Sequence, residues 1–136
     1  MAQAAIAYID GRRLERALNA GVSRVVAQRE AINRINVFPV ADGDTGTNLA
    51  FTMRAMLQPS GKRERSVARV LHAMADQAID GARGNSGAIF AQFIQGLSQS
   101  MRALSRAHAG ALANAATFAD SQAHRVLQLV GERTSD

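Results

Sequence analysis

The sequence predicts an all-α protein, and three observations carry that prediction. Hydrophobic residues make up 47% of the chain, yet aromatics make up only 4%, with no Trp and a single Tyr, Tyr8. Alanine supplies much of the apolar content and only two prolines interrupt it. Such a composition suits closely packed helices better than a sheet. Most decisively, apolar residues recur at three- and four-residue spacings along most of the chain, which places them on one side of successive helices.

The elements follow in order. From residue 10 to about 34, Leu14, Leu18, Val22, Val25, Val26 and Ile32 keep the helical spacing, so one long amphipathic helix is expected. Pro39 forces Phe38 out of the helical region and ends any helix before it. Gly43 then permits a sharp turn between two acids. A second helix is expected from Thr45 or Thr47 to about Leu57, where Pro59, Ser60 and Gly61 stop it. Ser66 is a candidate N-cap for a third helix carrying Val70, Leu71, Met74 and Ile79. Three glycines within residues 81–87 interrupt the pattern. A fourth helix carries Ile89, Phe90, Phe93, Ile94, Leu97 and Met101, and a last one spans about Gly110 to Leu129. With no internal repeat and no linker, residues 1–136 read as a single domain.

Composition excludes several function classes. Without cysteine there is no disulfide frame, thiolate nucleophile or Cys-based zinc site. His72, His108 and His124 stand far apart in the sequence and form no paired-histidine motif. The opening residues have neither the basic start nor the uninterrupted apolar run of a secretory signal. No apolar run approaches the roughly 20 residues that span a bilayer. The expectation is a cytoplasmic protein with no transmembrane segment. The formal charge of +5 raises nucleic acid as a partner, but the basic residues are scattered, with Lys62-Arg63-Glu64-Arg65 the one cluster. We therefore expect no nucleic-acid partner.

Two loops carry chemistry. In the first, Asp42 and Asp44 flank Gly43, and two carboxylates about one glycine can turn toward a common point. That suits Mg2+, which takes oxygen ligands and is typically held by one or two carboxylates plus substrate phosphates. Asn36 is a further candidate oxygen ligand. Thr45, Gly46, Thr47 and Asn48 open the following helix, where backbone N–H groups can meet anionic oxygen. The alternative is a plain capped turn, with Asp44 as N-cap. An EF-hand is excluded, since the alternating acids and the terminal glutamate are absent. In the second loop, Gly84, Asn85, Ser86 and Gly87 can cradle phosphate at a helix start, although the run is neither a Walker A motif nor a dinucleotide fingerprint. The alternative is a helix connection whose glycines allow close approach. Arg83 can pair with phosphate or with Asp80 nearby. Metal ligands beside a phosphate cradle are what phosphoryl transfer requires, because its catalysis is mostly positioning and charge neutralisation.

Residues 33–48, Asn-Arg-Ile-Asn-Val-Phe-Pro-Val-Ala-Asp-Gly-Asp-Thr-Gly-Thr-Asn, closely resemble the signature of the nucleotide-binding L domain of dihydroxyacetone kinases. The match is best to the branch at the N-terminus of bacterial fatty acid kinases. Gly-Ala-Arg-Gly-Asn-Ser-Gly at residues 81–87 resembles that branch's second motif, and residues 9–14 fit its opening helix. The resemblance covers about residues 6–125 and implies an antiparallel up-and-down helical barrel binding Mg-ATP or Mg-ADP at one end. It implies Asp42 and Asp44 as the metal-binding, catalytic aspartates. Thr45, Gly46 and Asn48 match the nucleotide-contacting helix start, and Asn85 and Ser86 fall where the family contacts phosphate. Leu49 stands where methionine is usual, and Asn36 and Val37 stand where dihydroxyacetone kinases carry a third acid. The implied reaction is ATP-dependent phosphorylation of a fatty acid carboxylate presented by a fatty-acid-binding partner protein. A non-catalytic nucleotide-binding or regulatory module and a dihydroxyacetone kinase subunit are the alternatives. The family domain is longer, with further motifs downstream, so the resemblance also implies a C-terminally truncated barrel whose uncovered helix faces favour a homo-oligomer.

Overall fold

In the computed structural model, residues 7–35, 43–57 and 64–135 are described, with side chains to residue 129. They form six helices: α1 (Gly11–Ala27), α2 (Arg29–Arg34), α3 (Thr45–Met56), α4 (Val67–Asp80), α5 (Gly84–Ser100) and α6 (Ala109–Ser135). Among the described residues there is no strand, only an isolated antiparallel bridge between Ile9 and Ala107. The all-α expectation holds.

α5 is the hub, packing against α3, α4 and α6, while α1 lies against α2, α3 and α4. Among the described helices, α6 packs against α5 alone. α4, α5 and α6 run up, down and up. The start of α4 meets the residues that follow α5, through hydrogen bonds from Val67 N–H to Ser105 O and Ala68 N–H to Leu104 O, both 2.9 Å. The α5–α6 pair is close because Gly96 sits directly against the backbone of Ala119.

The core is aliphatic and methionine-rich. Leu14, Met53, Met56, Val67, Leu71, Met74, Ile94 and Met101 are buried within one cluster, and Phe90 and Phe93 pack at its edge. Each such side chain contributes about 1.5–3 kcal/mol on burial. Methionine fills irregular gaps between helices, so among the described residues the core closes without a fully buried aromatic ring. Phe118 and Leu129 on α6 remain exposed.

Three local details differ from expectation. The single helix expected over residues 10–34 is divided at Gln28, whose N–H is shared between the carbonyls of Arg24 (3.2 Å) and Val25 (3.0 Å). No Gly or Pro marks the break. It re-aims α2 so that the Arg29 carbonyl meets Gly46 at close range and Asn33 reaches Thr47. Ser66 does occupy the N-cap position of α4, but its side chain makes no capping bond. The carbonyls of Leu104 and Ser105 take that role instead. The last helix also runs longer than expected, to Ser135.

Candidate functional site

The starts of α3 and α5 meet at one end of the bundle. Gly43, with φ of +73°, turns the chain into α3, a conformation that L side chains rarely adopt. Asp44 then takes the N-cap position of α3, yet its carboxylate makes no capping bond to the first turn. Capping is thus not what this acid does here.

Asn33 on α2 holds the first turn of α3. Its side chain donates from Nδ2 to Thr47 Oγ1 and accepts from Thr47 N–H at Oδ1, each at 3.0 Å. Both polar groups of Thr47 therefore serve the scaffold rather than facing outward. The neighbouring Gly46 is buried, and a Cβ there would strike the Arg29 carbonyl. Its own N–H has no hydrogen-bond partner among the described residues.

The start of α5 is tied to α3 by one side chain from each helix. Fully buried Thr52 donates from Oγ1 to Asn48 O at 2.9 Å and accepts the Arg83 N–H at 3.1 Å. Ser86 donates from Oγ to Thr45 O at 3.2 Å, closing the gap between the two helix starts. Gly84 has φ of +68°, and any Cβ would overlap the Asn48 amide. Gly87 lies so close to Thr52 that a side chain there would strike its hydroxyl. Glycine thus serves both readings of this loop, close helix approach and an open backbone. Arg83, at the N-cap position of α5, provides no side-chain cap. The N–H groups of Gly84, Asn85 and Ser86 have no partner among the described residues, and Asn85 is exposed. These are the donors an anion would meet, at the positive end of a helix dipole.

The structure therefore brings Asp44, Thr45, Gly46, Thr47 and Asn48 beside Gly84, Asn85, Ser86 and Gly87. Asp42 and Asn36, the other expected metal ligands, lie outside the described residues. Among the described residues no cluster of three or more His, Cys, Asp or Glu forms a cation site. Asp44, a hard oxygen donor, is the one expected metal ligand among the described residues. Sequence reasoning missed Asn33 and Thr52. The signal for Thr52 was a polar residue four positions after Asn48 on a face otherwise apolar, and Asn33 opens the signature at residues 33–48.

Residues 39–134 match the DAK2 domain family. The chain belongs to that family. A DAK2 domain is a nucleotide-binding module like the L subunit of dihydroxyacetone kinase. The DAK2 chain is 36% identical over 102 residues to Protein YloV of Bacillus subtilis, covering 71% of this chain and 18% of that protein. It is 30% identical over 97 residues to an uncharacterized protein of Staphylococcus saprophyticus, covering 71% of this chain and 18% of the relative. It is 29% identical over 114 residues to an uncharacterized Staphylococcus aureus protein, covering 79% and 20% respectively. The chain spans about a fifth of the length of these curated relatives. No helix among the described residues is long and apolar enough to cross a membrane.

Proposed function

We propose that this domain binds Mg-ATP and Mg-ADP at the joined starts of α3 and α5 and acts as the nucleotide half of a cytoplasmic kinase. One observation carries the reading. Two helix starts lie side by side, bound through Ser86 and Thr45, with neither N-cap side chain closing them. The N–H groups of Gly84, Asn85 and Ser86 would hold phosphate oxygens, and Gly46 N–H would add one more donor from α3. Asp44, Asp42 and Asn36 are the residues that would hold Mg2+. When bound, the ion would neutralise phosphate charge and help to fix the terminal phosphoryl group.

The chain's own contribution is positioning. Thr52 and Asn33 lock the two loops by side-chain hydrogen bonds, so the donors are set before ligand arrives. Preorganised donors require little rearrangement at the moment of reaction. The acceptor we propose is an acyl carboxylate carried by a fatty-acid-binding partner. One carboxylate oxygen bonds to the γ-phosphorus as the bond to the β,γ-bridging oxygen breaks, giving an acyl phosphate and ADP.

Calorimetric titration of ADP with Mg2+, repeated with EDTA, tests the site directly. Micromolar binding that EDTA abolishes supports it. Absence of binding by protein that is helical by circular dichroism would remove the reading.

A further inference from the structure

Arg83 stands apart from the other groups at this site. Its main chain is fixed, because its N–H donates to the buried hydroxyl of Thr52 at 3.1 Å. Its side chain is exposed, and its guanidinium carbon lies 5.0 Å from the centroid of the Phe51 ring. Among the described residues no carboxylate pairs with it, and Asp80, three positions earlier, does not. A full positive charge is therefore held over a half-exposed ring by the residue that directly precedes the three N–H groups of α5 left without partners among the described residues.

We propose that Arg83 is the residue that distinguishes ATP from ADP, leaving Phe51 to bind the terminal phosphate. This inference rests on the nucleotide reading of the same site. A fixed Cα and a long side chain held by one contact give a guanidinium two available positions about one anchor. An exposed cation–π contact is weak beside a charge-assisted hydrogen bond to phosphate. The planar guanidinium fork matches two oxygens of one phosphate, a geometry lysine cannot reproduce. The backbone donors of α5 would serve the phosphates that ADP and ATP share. The arginine would serve the one that only ATP carries, and its charge would offset charge developing on the transferred group.

The experiment compares Mg-ADP with Mg-AMPPNP, a non-hydrolysable triphosphate, by calorimetry on the intact chain. Arg83→Ala should lower AMPPNP affinity by about tenfold or more, while ADP affinity stays within about twofold of the parent. Arg83→Lys should recover only part of the loss. Phe51→Ala should keep or slightly raise AMPPNP affinity, because it removes the competing position. Equal losses for both nucleotides, or no loss for either, would overturn the inference while leaving the nucleotide site standing. Parent protein that binds neither nucleotide overturns the site itself. Circular dichroism identifies variants that have lost helix, and Arg83→Lys, the milder change, then decides on its own ratio of affinities.

Discussion

The two ends of this bundle treat their helix starts in opposite ways. At one end, three helix starts are closed by neighbours. Asp10 accepts the Arg13 N–H at 3.0 Å for α1, and the carbonyls of Leu104 and Ser105 close α4. His108 Nδ1 accepts the Ala111 N–H at 3.1 Å for α6. At the other end, Asn33 takes the Thr47 N–H of α3, and α5 keeps three N–H groups without partners among the described residues. The first N–H groups of any helix lack intrahelical acceptors, so capping them is the ordinary way to stabilise a domain. Under the proposed reading, the uncapped N–H groups at the other end are where an external anion would supply the acceptor. The proposal thus assigns ligand chemistry to the open end and capping to the closed one.

The largest effect that would sharpen this contrast comes from Asp44. Asp44→Ala should reduce Mg-dependent ADP affinity by about a hundredfold or more, with helix content unchanged, since the carboxylate makes no capping bond. Calorimetry and circular dichroism on the same sample check both halves. Retained affinity would detach the acid from the ligand. Gly84→Ala should come next, because it acts on structure and site together. An L residue at φ of +68° costs about 1–2 kcal/mol, and the added Cβ must also displace the Asn48 amide. Thermal unfolding should report the loss of stability, and ADP titration a weaker site. A variant as stable as the parent would show that the α5 start is not built around this glycine.

Much of this architecture was legible in the sequence. The starts of α3 and α5 follow from glycine-bearing stretches placed directly before runs with helical spacing, and both helices begin where the motif reading put them. What could not be read depends on contacts between distant segments. The break at Gln28 carries no local breaker; it exists because Arg29 and Asn33 must meet Gly46 and Thr47. Ser66 has the right residue type for a cap, but a carbonyl pair from residues 104 and 105 reaches the N–H groups first. Arg83 offered Asp80 as a near neighbour in sequence, and Phe51 on another helix holds it instead. Residue type announced the need for a partner in each case, while the partner's identity was a tertiary fact.

The smallest predicted effect tests the closed end. Asp10 is partly exposed, and its pKa lies below the ordinary carboxylate value, chiefly because it accepts the Arg13 backbone N–H, with the Arg13 and Arg12 guanidinium groups adding to the effect. A carboxylate whose pKa is lower folded than unfolded stabilises the fold fully above its unfolded value. That contribution fades as pH falls through the folded value. Asp10→Ala should therefore lower the melting temperature by only about a few degrees at neutral pH, with the difference from the parent shrinking in acid. Thermal melts of both proteins at neutral pH and near pH 3 would show this. ADP affinity should be unchanged, because Asp10 caps a helix at the end away from Asp44 and Ser86. A loss of nucleotide binding in this variant would mean that the two ends are coupled through α1 and α3, and the division of labour drawn here would fail.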